Sequence, residues 1–130
     1  MTLDVPARLG TLDRRGYPRI TPIWFLYEDG TFYMTSIVGK RHVEDLRRDP
    51  RASIRVDIED NAAVDGVRAN RQIGGSGIAE LRPDADGAWT RRITLKYVTG
   101  ADAETRAAMR AAQQRIVILL APERLELLHT

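Results

Sequence analysis

The sequence predicts an α+β domain made mainly of antiparallel strands, close in plan to a partly open barrel. Three observations point there. Two β-prone runs flank an Asp-Gly pair, a third run alternates apolar and polar residues, and short helical stretches interrupt the strands at irregular intervals. Such a pattern excludes a regular strand–helix–strand series and its parallel sheet. The 130 residues are one domain's worth, read here as a single unit 1–130.

Ala7 to Leu12 is a short half-apolar strand, and Asp13 to Tyr17 a turn in which Gly16 permits positive φ and Asp13 bonds the backbone ahead of it. Arg19 to Tyr27 is strongly β-prone, but Pro22 cannot donate to a ladder, so the stretch belongs at an edge or a bulge. Asp29-Gly30 is a hairpin signal, and Thr31 to Ser36 is the returning strand. Lys40 to Asp49 reads as a helix with Val43 and Leu46 on one face, stopped by Pro50. In Ala52 to Ile58 the residues Ile54, Val56 and Ile58 alternate with Ser53, Arg55 and Asp57, a strand with one wet face. Glu59 to Asn70 is polar and reads as a loop. Ile73 to Leu81 is a strand whose three glycines predict a bulge or the close approach of another backbone or a ligand. Pro83 to Tyr97 reads as a helix with Trp89, Ile93 and Tyr97 at four-residue spacing, and Asp102 to Arg115 as a second, with a light alanine face. Ile116 to Leu120 is a buried strand and Arg124 to Leu128 a short last one.

Composition removes many function classes. Hydrophobic residues make up 43% and charged residues 29%, an ordinary globular balance. No apolar run is long enough to span a bilayer, and Met1 to Gly10 lacks the apolar centre of a secretory signal, so a cytoplasmic protein without membrane partners is expected. With no cysteine, thiolate metal sites, disulfides and cysteine nucleophiles are excluded. A net charge of +2 is too balanced for nucleic-acid binding by bulk charge. Of the 20 basic residues only Lys40 and Lys96 are lysine. His42 and His129 have no metal-ligand spacing, and His42, on a charged helix face, reads as solvated. Gly74-Gly75-Ser76-Gly77 has no P-loop lysine after it, and there is no Gly-x-Ser-x-Gly elbow. No catalytic acid, base or nucleophile stands out.

The stretch from Thr35 to Arg41 carries the most chemical information. A strand ends, a turn with Gly39 follows, and a helix opens on two adjacent cations. Thr35 and Ser36 add hydroxyls, Lys40 and Arg41 full charges, and the helix start its unpaired N–H groups, the donor set a phosphate requires. A helix opening with two solvated cations would look the same. Pro22, Ile23 and Trp24 form the second candidate, an irregular strand position beside a flat aromatic able to support a planar ring. The alternative there is simple core packing, which is the reading for Phe25. Arg55, on the wet face of its strand, can meet an anion or be solvated.

Three segments together carry a resemblance: GYPRITPIWF at Gly16 to Phe25, DGTFYMTS at Asp29 to Ser36, and KRHVEDLRRDPRASIRVD at Lys40 to Asp57. The chain resembles the pyridoxamine 5′-phosphate oxidase-like split β-barrel superfamily, and within it the small flavin/deazaflavin oxidoreductases, many of which use coenzyme F420. The likeness covers roughly residues 8–82 well and the rest more loosely. It implies an FMN-binding-like Greek-key split barrel with short helices, a homodimer, and two cofactor sites at the subunit interface. The cofactor, F420 or alternatively FMN, would set its phosphate on Thr35, Ser36, Lys40 and Arg41. Its ring would lie along Pro22 to Trp24, with Arg55 a further phosphate or tail contact and Lys96 and Tyr97 completing the site from the other chain. The implied reaction is hydride transfer between the cofactor ring and a small-molecule substrate, with no protein acid or base required. A haem or flavin carrier is compatible with the same fold. Where relatives often read Asn-Leu-Arg-Arg-Asp-Pro, this chain has Asp45 to Pro50, so Glu44 and Asp45 are expected to bring negative charge close to the phosphate.

Overall fold

In the computed structural model, residues 5–58, 63–64, 67–68 and 71–129 are described. Two antiparallel sheets face one another. Strands β1 (Ala7–Leu12), β2 (Pro18–Ile23), β5 (Arg51–Ile58), β8 (Arg71–Ile78) and β11 (Glu126–His129) form the first, in the order β11-β8-β5-β1-β2. Strands β3 (Phe25–Glu28), β4 (Thr31–Ile37), β9 (Glu80–Pro83) and β10 (Arg115–Leu120) form the second, in the order β3-β4-β10-β9. Among the described residues there are also three short α-helices, α1 (Arg41–Arg48), α2 (Ala88–Tyr97) and α3 (Ala103–Ala111), and a 3-10 turn at Ala85–Gly87. A two-residue ladder pairs β6 (Ala63–Val64) with β7 (Val67–Arg68) inside the stretch expected to be a loop, the remainder of which lies outside the described residues.

The chain passes between the sheets four times, and two of these crossings break a strand that the sequence reads as continuous. The Arg19–Tyr27 run divides at Trp24 into β2, an edge strand, and β3 in the other sheet. Pro18 and Pro22 sit on that edge, where a missing N–H costs nothing to the ladder. The Ile73–Leu81 run divides at Ala79, whose N–H bonds Pro50 O at 2.8 Å. The glycines ahead of this break do serve close backbone approach. A Cβ on Gly75 would lie 2.3 Å from Arg124 O, and one on Gly74 would lie 2.2 Å from Ile54 O. The β3–β4 hairpin turns on Asp29 and Gly30 with φ of 49° and 83°, the paired positive values of a type I′ turn.

The core lies between the sheets, where Leu9, Phe25, Phe32, Met34, Ile54, Val56, Ile118 and Leu120 are fully buried. Leu46 carries α1 onto it. Helix boundaries differ from expectation at two points. Pro83 closes β9, and α2 begins only at Ala88, because the Asp84 carboxylate accepts from Trp89 N at 3.0 Å and from Thr90 N at 2.9 Å, holding the helix start there. Arg115 is the first residue of β10 rather than the last of a helix, since α3 stops at Ala111. Among the described residues no helix is long and apolar enough to cross a membrane.

Candidate functional site

Strand β4 ends at Ile37, Gly39 turns the chain with φ of 95°, and Lys40 N closes the turn on Ile37 O at 3.2 Å. α1 then begins, with Lys40 as its N-cap and no side-chain acceptor on its first amides. In the neighbouring β10, Arg115 pairs in register with Ile37, which brings its guanidinium level with the turn. The chain before β10 is tied to the same turn through Val38 N and Gln114 O, 3.4 Å apart.

These elements enclose an open cavity of about 590 Å³. Pro22, Ile23 and Trp24 form one wall, Thr35, Ser36 and Ile37 the floor, Lys40 and His42 the helix-start side, and Ile93, Arg110, Gln113 and Arg115 the side under α2 and α3. Six of the ten residues singled out from the sequence therefore meet here: Pro22, Ile23, Trp24, Thr35, Ser36 and Lys40. Thr35 and Ser36 are both buried.

The other four lie elsewhere. Arg41 lines a neighbouring depression of about 380 Å³ in which Arg14, Arg15, Arg19 and Arg48 alternate with Asp13, Glu44 and Asp45. Arg55 lines a third, with Ser76, Glu123, Arg124 and Glu126; its Nη1 is buried without a hydrogen-bond partner in the space Gly74 leaves open. Lys96 and Tyr97 serve the barrel corner. Lys96 Nζ donates to Phe25 O at 2.8 Å, Phe25 N donates to Tyr97 Oη at 3.3 Å, and that hydroxyl donates to Val5 O at 3.0 Å. The Tyr97 ring stacks on Trp24, centroids 4.8 Å apart. Together they satisfy the backbone where the chain crosses between sheets and fix the attitude of the indole.

Charge in the cavity is one-sided. Lys40, Arg110 and Arg115 line it, and no carboxylate does. Arg115 is 8% exposed; its Nη1 donates to Gln113 Oε1 at 2.9 Å, while its Nε is buried without a partner. Arg110 Nε donates to Thr94 Oγ1 at 3.0 Å and its guanidinium lies 4.8 Å from the Trp24 ring centre. Burial lowers the pKa of both arginines; at Arg115 the charge of Arg110 adds to it and the Asp84 carboxylate acts against it. Both stay cationic at neutral pH, because an arginine starts so high. A buried guanidinium with an unmet donor, flanked by half-buried Arg110 and exposed Lys40 and with no carboxylate on the cavity wall, is an arrangement that an anion would satisfy.

The carboxylates expected near the phosphate are engaged elsewhere. Asp45 is buried under β1, where it accepts from Thr11 Oγ1 at 2.8 Å, Arg19 Nε at 2.6 Å and Arg48 Nη2 at 3.1 Å. Glu44 faces Arg47 at 3.6 Å. His42 departs from expectation in the opposite sense: it is half-buried on the cavity wall, not solvated.

Sequence reasoning missed Arg110, Arg115 and His42. Arg115 carried a usable signal, as an arginine opening an apolar run (RIVILL) is placed at a buried strand end.

Residues 5–129 match the pyridoxamine 5′-phosphate oxidase family. The chain belongs to that family. Solved structures agree on the split β-barrel. A conserved hypothetical protein from Mycobacterium tuberculosis superposes with a TM-score of 0.76 at 19% identity, over 97% of this chain and 78% of that one. An F420 reductase superposes with a TM-score of 0.71 at 19% identity, over 95% and 90% of the two chains. A FAD-binding protein from Mesorhizobium loti gives 0.67 at 22% identity, over 99% and 88%. Likeness at these identities is likeness of fold, the pyridoxamine 5′-phosphate oxidase-type barrel. None of the curated proteins matches the chain in sequence.

Proposed function

We propose that this chain is an F420-dependent oxidoreductase that holds the cofactor's phosphate in the cationic cavity at the start of α1. The observation that carries the reading is Arg115: a nine-tenths buried guanidinium on the cavity wall, its Nε unpartnered, with Lys40 and Arg110 beside it and no carboxylate. The donor set fits a phosphate ester. Lys40 and Arg115 supply charge, Thr35 and Ser36 hydroxyls, and α1 its uncapped first amides.

The bound cofactor supplies hydride transfer to or from a small organic substrate; the protein binds and orients it. Trp24, held by Tyr97, forms the wall along which a planar ring is supported. Ile23, Ile37 and Ile93 give the cavity apolar surface that excludes water from the reacting face. F420 is favoured over FMN by the ground next to the cavity. Lys40 and Arg41 are adjacent, and Arg41 opens onto the depression with Arg14 and Arg15; the carboxylates there, Asp13, Glu44 and Asp45, are engaged by the Arg15 and Tyr17 amides, by Arg47, and by Arg19 and Arg48, which leaves net positive ground for an anionic tail.

The reading includes a homodimer. Tyr17, Ile20 and Ile78, on or beside the first sheet, are 59%, 63% and 61% exposed, a large apolar surface for a lone subunit. Light scattering of the purified protein tests this part.

Spectroscopic titration tests the central claim. Binding of F420 at micromolar concentration, with turnover of an enone or quinone by reduced F420, supports it. A protein purified yellow with two flavin bands replaces F420 by FMN, and a Soret band makes it a haem carrier. If neither F420 nor FMN binds at millimolar concentration, the reading fails.

A further inference from the structure

His42 is the second residue of α1 and lines the cavity beside Lys40. Its Nε2 is buried and has no hydrogen-bond partner. A buried ring nitrogen in that state has lost water and gained nothing in exchange. Burial and the charged groups around it set its state. Lys40 stands on the same turn, Arg110 of α3 and Arg115 of β10 line the same cavity, and Arg19 of β2 lies on the other flank of α1. Asp45 is the one carboxylate acting on it, and that carboxylate is already shared by Thr11, Arg19 and Arg48. Burial comes first and outweighs the opposing pull of Asp45, with the smaller effects of Lys40 and Arg19 adding to it, so the imidazole is held below the ordinary histidine value and is neutral at pH 7.

An anion entering the cavity reverses that field. It neutralises the cations that disfavour an imidazolium and supplies an acceptor for the orphaned nitrogen. We propose that His42 takes up one proton from solvent as the cofactor's phosphate enters and donates its Nε2–H to that phosphate, which makes cofactor binding proton-linked. The proposal rests on the reading of this cavity as the cofactor site. No other bond forms or breaks; the proton moves from solvent to imidazole and returns when the cofactor leaves. Linkage fixes the sign. The protonated protein binds more tightly, so affinity rises as pH falls from the value at which His42 titrates in the complex to the lower value at which it titrates in the free protein.

His42 and His129 are the two histidines of the chain, so imidazole proton NMR reads His42 directly, with His129→Gln assigning the signals. Free protein and protein saturated with F420 or FMN are titrated from pH 4.5 to 9, with occupancy followed by absorbance. The expected result is a His42 midpoint below about 6.5 when free and higher by roughly one unit or more when the cofactor is bound. His42→Gln is expected to weaken cofactor binding by up to roughly tenfold at pH 6 and hardly at all at pH 8.5. A bound cofactor that leaves the His42 midpoint in place overturns the proposal while the site reading stands. Absorbance showing no binding of either cofactor overturns both.

Discussion

The two flanks of α1 solve the same electrostatic problem in opposite ways. On the flank facing β1 and β2, the cations Arg19 and Arg48 converge on Asp45, which is 3% exposed and saturated by three donors. On the flank facing the cavity, Lys40, Arg110 and Arg115 converge on open space, and His42 Nε2 and Arg115 Nε are left without acceptors. Balanced charge of the first kind builds a fold. Unbalanced charge of the second kind costs stability, and a fold that carries it points to a ligand that removes the cost.

The largest effect that separates the flanks is expected at Asp45. Asp45→Ala leaves two guanidinium groups and a buried threonine hydroxyl without their acceptor. Breaking a buried pair from one side costs about 3–5 kcal/mol, and the lower end applies because Arg19 and Arg48 keep partial access to water. Denaturant unfolding should therefore show a loss of about 3 kcal/mol, with cofactor affinity intact at pH 8.5, where His42 does not contribute. The pH dependence has the same origin. Burial alone would raise the Asp45 pKa, but the hydrogen bonds from Arg19, Thr11 and Arg48 outweigh it and hold the carboxylate below its ordinary value of 3.8. A depressed folded-state pKa adds stability that is full above the unfolded value and disappears as pH falls through the folded one. The wild type should lose this contribution below about pH 4, and Asp45→Ala should show a flatter acid limb.

Arg115→Met is the converse. It removes a desolvated cation and leaves an apolar chain of similar length, so the free protein should gain about 1 kcal/mol in unfolding free energy, the low end of what replacing buried charge by hydrophobic residues yields. Cofactor affinity should fall roughly 10- to 150-fold, the value of a charged hydrogen bond of about 1.5–3 kcal/mol. A variant that is less stable and binds as before would show that Arg115 belongs with Asp45, as a structural residue.

The sequence made one flank of this comparison more legible than the other. Local signals located β1, the Asp29-Gly30 hairpin, α1 and β5, because turn chemistry and alternation act within a few residues. Pro22 placed its strand at an edge, and the glycines of β8 announced the approach of the chain near Arg124. The cavity residues that come from one contiguous stretch, Thr35, Ser36 and Lys40, were legible for the same reason. Arg110 and Arg115 reach the cavity from 70 or more residues along the chain, Arg115 through the pairing of β10 with β4 and Arg110 from α3 just ahead of it, and no local pattern encodes that placement. The role of Lys96 and Tyr97 was equally hidden: tying off the backbone of Phe25 is a property of the crossing between sheets, which appears only once the two sheets are formed.

Lys40 should matter less than Arg115. It is exposed, so water already screens its charge. Lys40→Ala is expected to cost about 1 kcal/mol of cofactor affinity, roughly fivefold, and the loss should shrink as salt is added, whereas the Arg115→Met loss should not. Titrations at low and high ionic strength compare the two directly.

The smallest effect is the one that sharpens the identity of the ligand. Arg41 follows Lys40 in the chain but opens onto the neighbouring depression, with Arg14 and Arg15. A ligand that ends at its phosphate stays within the cavity and does not reach Arg41, so Arg41→Ala should leave FMN affinity unchanged. A ligand whose anionic tail runs on past Lys40 meets it, at an exposed position where one ion pair is worth about 0.5 kcal/mol. F420 affinity should then fall roughly two- to threefold, and the difference should vanish in high salt. Equal affinities of wild type and variant for F420 at low salt would confine the ligand to the cavity and remove the argument that prefers F420 to FMN.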